Sequence, residues 1–299
     1  MFSKVEFNDS KEQIDEKFIG QIIFHNFQLS GFLNEKDLIK KIKTSDYEII
    51  ETNDRPYDLC TLPNDTLVTA NRADGNLTIL DSNTFKLINK IDKIDDSNFI
   101  PRGLTVNSRQ KCIYILDELH SQIIMTDFNF KKLDSYGNYG SNKNQFDDPS
   151  SFCFFNDYLY VSDRNNERIQ ILTPDLEYFN SIQLNYKPYM VKVTNKRICV
   201  TCVETTSERG VYFYDSDSLK LKHKYEESVG KLSEINASFY LLCCNSKVLH
   251  CFNTDGILIK QVNVDRLGEY LIDLYDGYMI CLNQNLIITS YRMKKLLKF

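Results

Sequence analysis

An aspartate recurs at a fixed interval in the middle of this chain, and its surroundings recur with it. Asp117 and Asp163 lie 46 positions apart, and each is followed six positions later by an isoleucine, Ile123 and Ile169. A further step of 46 back from Asp117 reaches Asn71, with Leu77 six positions on. The three copies read Leu67-Val-Thr-Ala-Asn71, Ile113-Tyr-Ile-Leu-Asp117 and Leu159-Tyr-Val-Ser-Asp163, each followed by a polar turn and an alternating apolar stretch. A constant pitch in the range of roughly 20–50 residues marks a repeat architecture, in which one supersecondary unit is copied along the chain. The side-chain period of two makes that unit a β-meander.

The rest of the sequence divides at the same pitch. Units open at Pro56, Pro101, Pro149 and Pro188, and two more follow at Leu232–Val262 and Tyr270–Phe299, the latter ending in a strand at Lys294–Phe299. Turn-forming clusters such as Ala73-Asp-Gly75 and Asp81-Ser-Asn separate the strands within a unit. The 19 Phe and 18 Tyr, with few Pro, favour sheet. The even spacing leaves no room for a linker, so residues 1–299 are expected to form one domain. Residues 1–45 are read either as a further blade, with strands at Ile19–Phe24, Phe27–Leu33 and Asp37–Ile42, or as an N-terminal extension with a short helix over 34–43. The strand reading is preferred. Met1–Phe7 would then supply an edge strand closing the ring.

Four-stranded meanders expose their edges and cannot bury both faces alone. Closing them into a circle protects those edges, so the chain is expected to be all-β, a single closed β-propeller of four-stranded blades, with seven blades preferred to six. Inner strands would begin at the opening prolines. Outer strands would carry the lysine-rich pieces Phe130–Leu133 and Leu219–Lys222, whose alternation suits a half-solvated edge.

The segment Gly137-Asn-Tyr-Gly-Ser-Asn-Lys-Asn-Gln-Phe-Asp-Asp-Pro149, with Leu159-Tyr-Val-Ser-Asp-Arg-Asn-Asn-Glu-Arg-Ile-Gln-Ile171 behind it, closely resembles an NHL repeat. The unit at 101–126 resembles a degraded copy, keeping Asp117 but placing Ser121 or Gln122 where arginine would fall. The resemblance implies a propeller, most often six-bladed, and a loop-rich face that takes RNA or a protein. It also implies that Asp163 and Arg168 tie the second and third strands of a blade together, and that Asp117, lacking an arginine, turns to backbone N–H groups. Some members of the family join this domain to RING and B-box modules, whose Cys/His spacing is not found here.

Catalytic signals are scarce. His25, His120, His223 and His250 are dispersed, and Cys199-Val-Thr-Cys202 lies in an apolar strand whose alternation puts the two thiols on opposite faces. No nucleophile elbow or phosphate loop occurs. Neither a cofactor, a resident metal nor a catalytic group is therefore expected. A metal-dependent hydrolase remains an alternative, with Asp58, Asp148 and Glu269 near inner-strand starts as its carboxylates.

Binding is the leading expectation, through loops at one end of the ring: those before the inner strands and those joining second to third strands. These positions hold Arg55, Tyr57, Arg72, Arg102, Arg164, Asn166, Tyr189 and Arg209. Arginine and tyrosine supply both apolar area and directed hydrogen bonds, and they dominate interface energetics. Another protein is the expected partner, with single-stranded RNA the alternative. Thirty-six basic against 41 acidic residues, a net charge of -5, oppose indiscriminate nucleic-acid binding, and DNA is not expected. Nine cysteines without evident pairing suit a reducing compartment, and the chain has neither a signal core at its start nor a membrane-length apolar run. A cytoplasmic location away from membranes is the expectation.

Overall fold

The computed structural model describes residues 47–51, 56–63, 66–81, 86–194, 196–202 and 209–226, then strand segments from 232 to 292 together with 255–257. The calls on residues 1–45, on Arg55, on Glu269 and on a strand at 294–299 lie outside these residues. Twenty-four strands are present among those described. They begin with β1 (Tyr47–Glu51), followed by a meander of β2 (Pro56–Leu62), β3 (Thr66–Asn71), β4 (Asn76–Asp81) and β5 (Leu87–Ile91). The next meander is β6 (Pro101–Asn107), β7 (Cys112–Asp117), β8 (Gln122–Asp127) and β9 (Lys132–Tyr136). The third is β10 (Pro149–Phe155), β11 (Tyr158–Asp163), β12 (Arg168–Leu172) and β13 (Tyr178–Gln183), and the fourth β14 (Met190–Val193), β15 (Arg197–Cys202), β16 (Gly210–Asp215) and β17 (Leu221–Tyr225). A fifth comprises β18 (Leu232–Ile235), β19 (Phe239–Cys244), β20 (Val248–Asn253) and β21 (Leu258–Asn263). The last three strands are β22 (Tyr270–Tyr275), β23 (Tyr278–Leu282) and β24 (Ile287–Arg292).

These strands make six antiparallel four-stranded sheets. In five of them the strands run in chain order; the sixth has the order β22-β23-β24-β1, so its outermost strand comes from the N-terminal side of the chain. Tyr47 pairs with Tyr291 and Glu51 with Ile287. The segment hydrogen-bonded to β24 is thus Tyr47–Glu51, which the repeat pattern had not marked as a strand. The count of seven rested on residues 1–45, outside the described part, and six sheets account for the rest. The first strands of the sheets adjoin in order, β2 beside β6, β6 beside β10, β10 beside β14, β14 beside β18 and β18 beside β22, with β22 again beside β2.

Alternation builds the packing between sheets. Along β7, Ile113 and Ile115 join Val68, Ala70 and Leu77 of the first sheet. Their neighbours Cys112, Tyr114 and Leu116 join Leu159, Val161 and Leu172 of the third. The second strand of each of the first four meanders is therefore buried on both faces and reads as a nearly continuous apolar run. The same parity separates the two cysteines of β15: Cys202 packs with Tyr160 and Ile171 toward the third sheet, and Cys199 with Phe252 toward the fifth. The thiols face opposite ways, as the alternation requires.

Two irregularities recur. In the first three sheets the first strand opens on proline, which has no N–H to donate and suits the start of a strand. The register then skips a residue between Pro56 and Asp58, Pro101 and Gly103, and Pro149 and Ser151. Tyr57, Arg102 and Ser150 are the bulged residues, and a bulge re-aims the side chain it releases. On the outer strands a second bulge leaves Ile88, Leu133 and Phe179 unopposed, and all three are more than half exposed. Bulges of this kind, with exposed Lys131 just before β9 and exposed Lys222 of β17, blunt an edge against pairing with other chains.

Candidate functional site

The bulged residues and the turns after each second strand share one face, because Pro56 pairs with Asn71, Pro101 with Asp117 and Pro149 with Asp163. On this face a ladder of alternating charge crosses three sheets. Arg72, in the turn after β3, forks onto Glu118 of the next sheet, with Nε and Nη2 donating to its two carboxylate oxygens at 2.5 and 2.6 Å. Arg102 at the start of β6 places its Nε 4.0 Å from the same carboxylate and donates through Nη1 to Asp148. Arg164, in the turn after β11, donates to the other Asp148 oxygen at 2.6 Å. The order is Arg72, Glu118, Arg102, Asp148, Arg164.

The repeat pitch produces this ladder. Positions 72, 118 and 164 are 46 residues apart and hold arginine, glutamate and arginine at one turn position of three successive units. Arg102 and Asp148 are separated by the same interval. Glu118 was missed in reading the sequence, yet stepping 46 from either flanking arginine finds it. Asp148 adopts φ of 53° immediately before Pro149, a left-handed backbone unfavourable for a non-glycine residue. Its two arginine bonds hold it there.

Burial differs along the ladder. The Arg102 side chain is 6% exposed and that of Arg72 43%. The Arg72 fork holds the Glu118 carboxyl below the usual carboxylate range, against the opposing effect of burial. Burial pushes the Asp148 carboxyl up, but Arg102 and Arg164 more than reverse this and leave it lowered. Folded values below unfolded ones mean that the stabilisation is complete above the ordinary carboxylate range of about 4 and fades as pH falls through the depressed values. Urea denaturation from pH 7 to pH 3 is expected to show an acid loss of stability that is shallower in Glu118→Gln.

Two tyrosines meet beside the ladder. The Tyr57 and Tyr189 hydroxyls are 2.8 Å apart, joining the first sheet to the residue preceding β14 of the fourth. The Arg72 guanidinium carbon stands 5.6 Å from the Tyr57 ring centroid, within cation–π range. Ser150 Oγ donates to the Tyr189 carbonyl at 2.6 Å. Leu119, His120 and Tyr139 are exposed in the adjoining loops. Of the expected binding residues, the structure brings together Tyr57, Arg72, Arg102, Arg164 and Tyr189. Arg209 lies half-buried just before β16. Asn166 turns inward, its Nδ2 donating to the Gly140 carbonyl and to Asp163.

The deeper aspartates serve the sheets. Buried Asp163 accepts from Arg168 Nε at 2.7 Å, Gln170 Nε2 at 3.1 Å and the Asp147 N–H at 2.8 Å. In the second sheet, Asp117 accepts from the Ile100 and Leu119 N–H groups and from Gln122, with His120 Nδ1 2.7 Å away. Backbone donors thus replace the missing arginine. Asp58 accepts from the Leu104 N–H at 3.0 Å. With Asp148 held by two arginines, the described carboxylates of the hydrolase reading are already engaged, and no cluster of three or more His, Cys, Asp or Glu suited to a metal occurs among the described residues. No described helix is long and apolar enough to cross a membrane.

No family model matches the chain, and no curated protein does. Among solved structures it is similar to hydrazine synthase of Kuenenia stuttgartiensis, at 16% identity and a TM-score of 0.57 over 77% of this chain and 74% of that one. It is also similar to the Pan2 WD40 domain of Neurospora crassa, at 11% identity and 0.58 over 80% and 79%. The Cps50 (Swd1) beta-propeller domain of Myceliophteria thermophila aligns at 11% identity and 0.56, over 82% of this chain and 98% of that one. At these identities the likeness concerns the fold alone, and that fold is the β-propeller.

Proposed function

We propose that this chain is a protein-binding propeller scaffold, a closed ring of six blades of the NHL type, acting through the face that carries the charge ladder. The observation that carries this reading is the arrangement of Arg72, Arg102 and Arg164 with Tyr57 and Tyr189 on one multi-sheet surface. Ion pairs fix the arginines, so little side-chain freedom is left to lose on binding. Closure is supported by β1 completing the last sheet and by β22 lying beside β2. The buried cysteines Cys60, Cys112, Cys153, Cys199 and Cys202 suit a cytoplasmic setting.

Single-stranded RNA on the same face is the second reading. It is weakened because each oxygen of Glu118 and Asp148 accepts from an arginine, which reduces the positive field that a string of phosphates needs. The test is affinity recovery from cell extract with and without nuclease, using the natural chain and Arg72→Glu/Arg164→Glu. Nuclease-resistant protein partners that the charge reversal abolishes are the expected result. Recovery of the same proteins by both forms would overturn the proposed face.

A further inference from the structure

We propose that Tyr57 and Tyr189 form an oxidative modification site, at which a one-electron oxidant joins the two rings in an intramolecular dityrosine cross-link. The linkage needs no partner and does not depend on what the face binds.

A hydroxyl contact here joins sheets that are not neighbours in the order of the first strands. Tyr57 Oη and Tyr189 Oη are 2.8 Å apart, yet β2 lies beside β6 and β22, and β14 beside β10 and β18. The two side chains therefore meet across the middle of the arrangement rather than along it. Both are anchored. Tyr57 is the bulged residue between Pro56 and Asp58, whose pairings with Asn71 and Ala70 fix the backbone on either side, and the Arg72 guanidinium stands over its ring. Tyr189 donates its N–H to the Thr201 carbonyl at 2.7 Å, accepts from Ser150 Oγ at its own carbonyl, and packs against the cluster of Met190, Val211 and Phe213. Reactants held in contact in this way couple as one molecule, without waiting for an encounter.

The unpaired electron decides which atoms join. Removing one electron and the hydroxyl proton from a tyrosine leaves a phenoxyl radical, with spin on the oxygen and on the two ring carbons ortho to it. Those atoms make up the hydroxyl end of the ring, and the hydroxyl ends are what meet. Two such radicals form one C–C bond between ortho carbons, after which the hydrogens of those carbons shift to the phenolic oxygens and restore both phenols. Two equivalents of oxidant take the two electrons, and two protons go to water. Thiols do not reverse a C–C bond, so the product persists in a setting that keeps cysteines reduced.

A second pair of tyrosines separates proximity from access. The Tyr186 and Tyr214 hydroxyls are 2.9 Å apart, but these residues are only 2% and 6% exposed. Burial pushes the pKa of both hydroxyls up, and water is not at hand to take the proton that must leave with the electron. Tyr57 and Tyr189 are half-buried, at the face. Tyr139, 70% exposed, marks the other extreme of access.

The test is oxidation of the dilute full chain with photolysed ruthenium(II) tris-bipyridyl and persulfate, followed by protease digestion and mass spectrometry. The expected product is monomeric, with dityrosine fluorescence and one dominant pair of linked peptides carrying Tyr57 and Tyr189, two hydrogens lighter than their sum. Its yield is expected to fall about tenfold or more when the chain is first unfolded in urea, which removes the held geometry. Tyr57→Phe and Tyr189→Phe, each lacking only a hydroxyl, are expected to abolish it. Oxidation of Tyr139 without the linked pair overturns the proposal, since the oxidant has then reached the protein and the pair has not coupled. Equal yields from folded and unfolded chains, or a Tyr186–Tyr214 link formed as readily, overturn it as well.

Discussion

Replacing Asp163 with alanine is expected to lower the unfolding free energy by about 3–5 kcal/mol, the usual cost of removing one partner of a buried ion pair. Asp163 is fully buried and gathers Arg168, Gln170, Asn166 and the Asp147 N–H around one carboxylate. Arg168 is itself 12% exposed and also donates to the Asn142 and Gln145 carbonyls, so it cannot swing into water without releasing the 138–147 loop. Its charge would be left in place without its counter-ion. Arg168→Ala is expected to cost less, since Asp163 retains its amide and backbone donors. The double variant should be less destabilised than the sum of the two, because the second change removes the stranded charge. Urea denaturation of the four proteins gives the coupling, and strict additivity would mean that the pair acts as two independent residues.

Gly137→Ala is expected to cost about 2–5 kcal/mol, combining backbone strain with overpacking. Gly137 has φ of 100°, where a side chain meets its own backbone, and it is where β9 leaves the second sheet. A Cβ there would lie 2.6 Å from two ring carbons of Phe146 and 3.1 Å from the Ser121 carbonyl. Phe146 cannot yield cheaply, being fully buried and packed edge-on against Tyr136. Movement of Phe146 would carry the loop, whose Gly140 N–H and Phe146 carbonyl are hydrogen-bonded. Asp148 follows two residues later, so the same variant should weaken partner binding through the displaced ladder. Wild-type denaturation midpoints for Gly137→Ala would show that the loop accommodates a side chain.

Much of the fold was legible because its elements are periodic. The 46-residue pitch and the alternating apolar strands located the second and third meanders, and the opening prolines marked where inner strands begin. Tyr47–Glu51 was not legible, since its partner lies some 240 positions away and a single short strand has no repeat to compare with. The face was legible in its residue types but not in its charge. Turn positions can be read from spacing, so Arg72, Arg102 and Arg164 were found; which residue of the adjoining unit each would meet is a property of the packed sheets. Glu118 and Asp148 stand between those arginines in the ladder.

The pairing of β1 with β24 has a consequence for synthesis. Tyr47–Glu51 leaves the ribosome well before Ile287–Arg292 exists to receive it. At translation rates of roughly 5–20 residues per second, the wait is on the order of ten to fifty seconds. Throughout that time the first meander can fold and stack on the second, while a strand of sequence Tyr-Glu-Ile-Ile-Glu has no native mate. Its two glutamates flanking two isoleucines make it a poor template for other nascent chains, and a shortened C-terminus would leave it unpaired permanently.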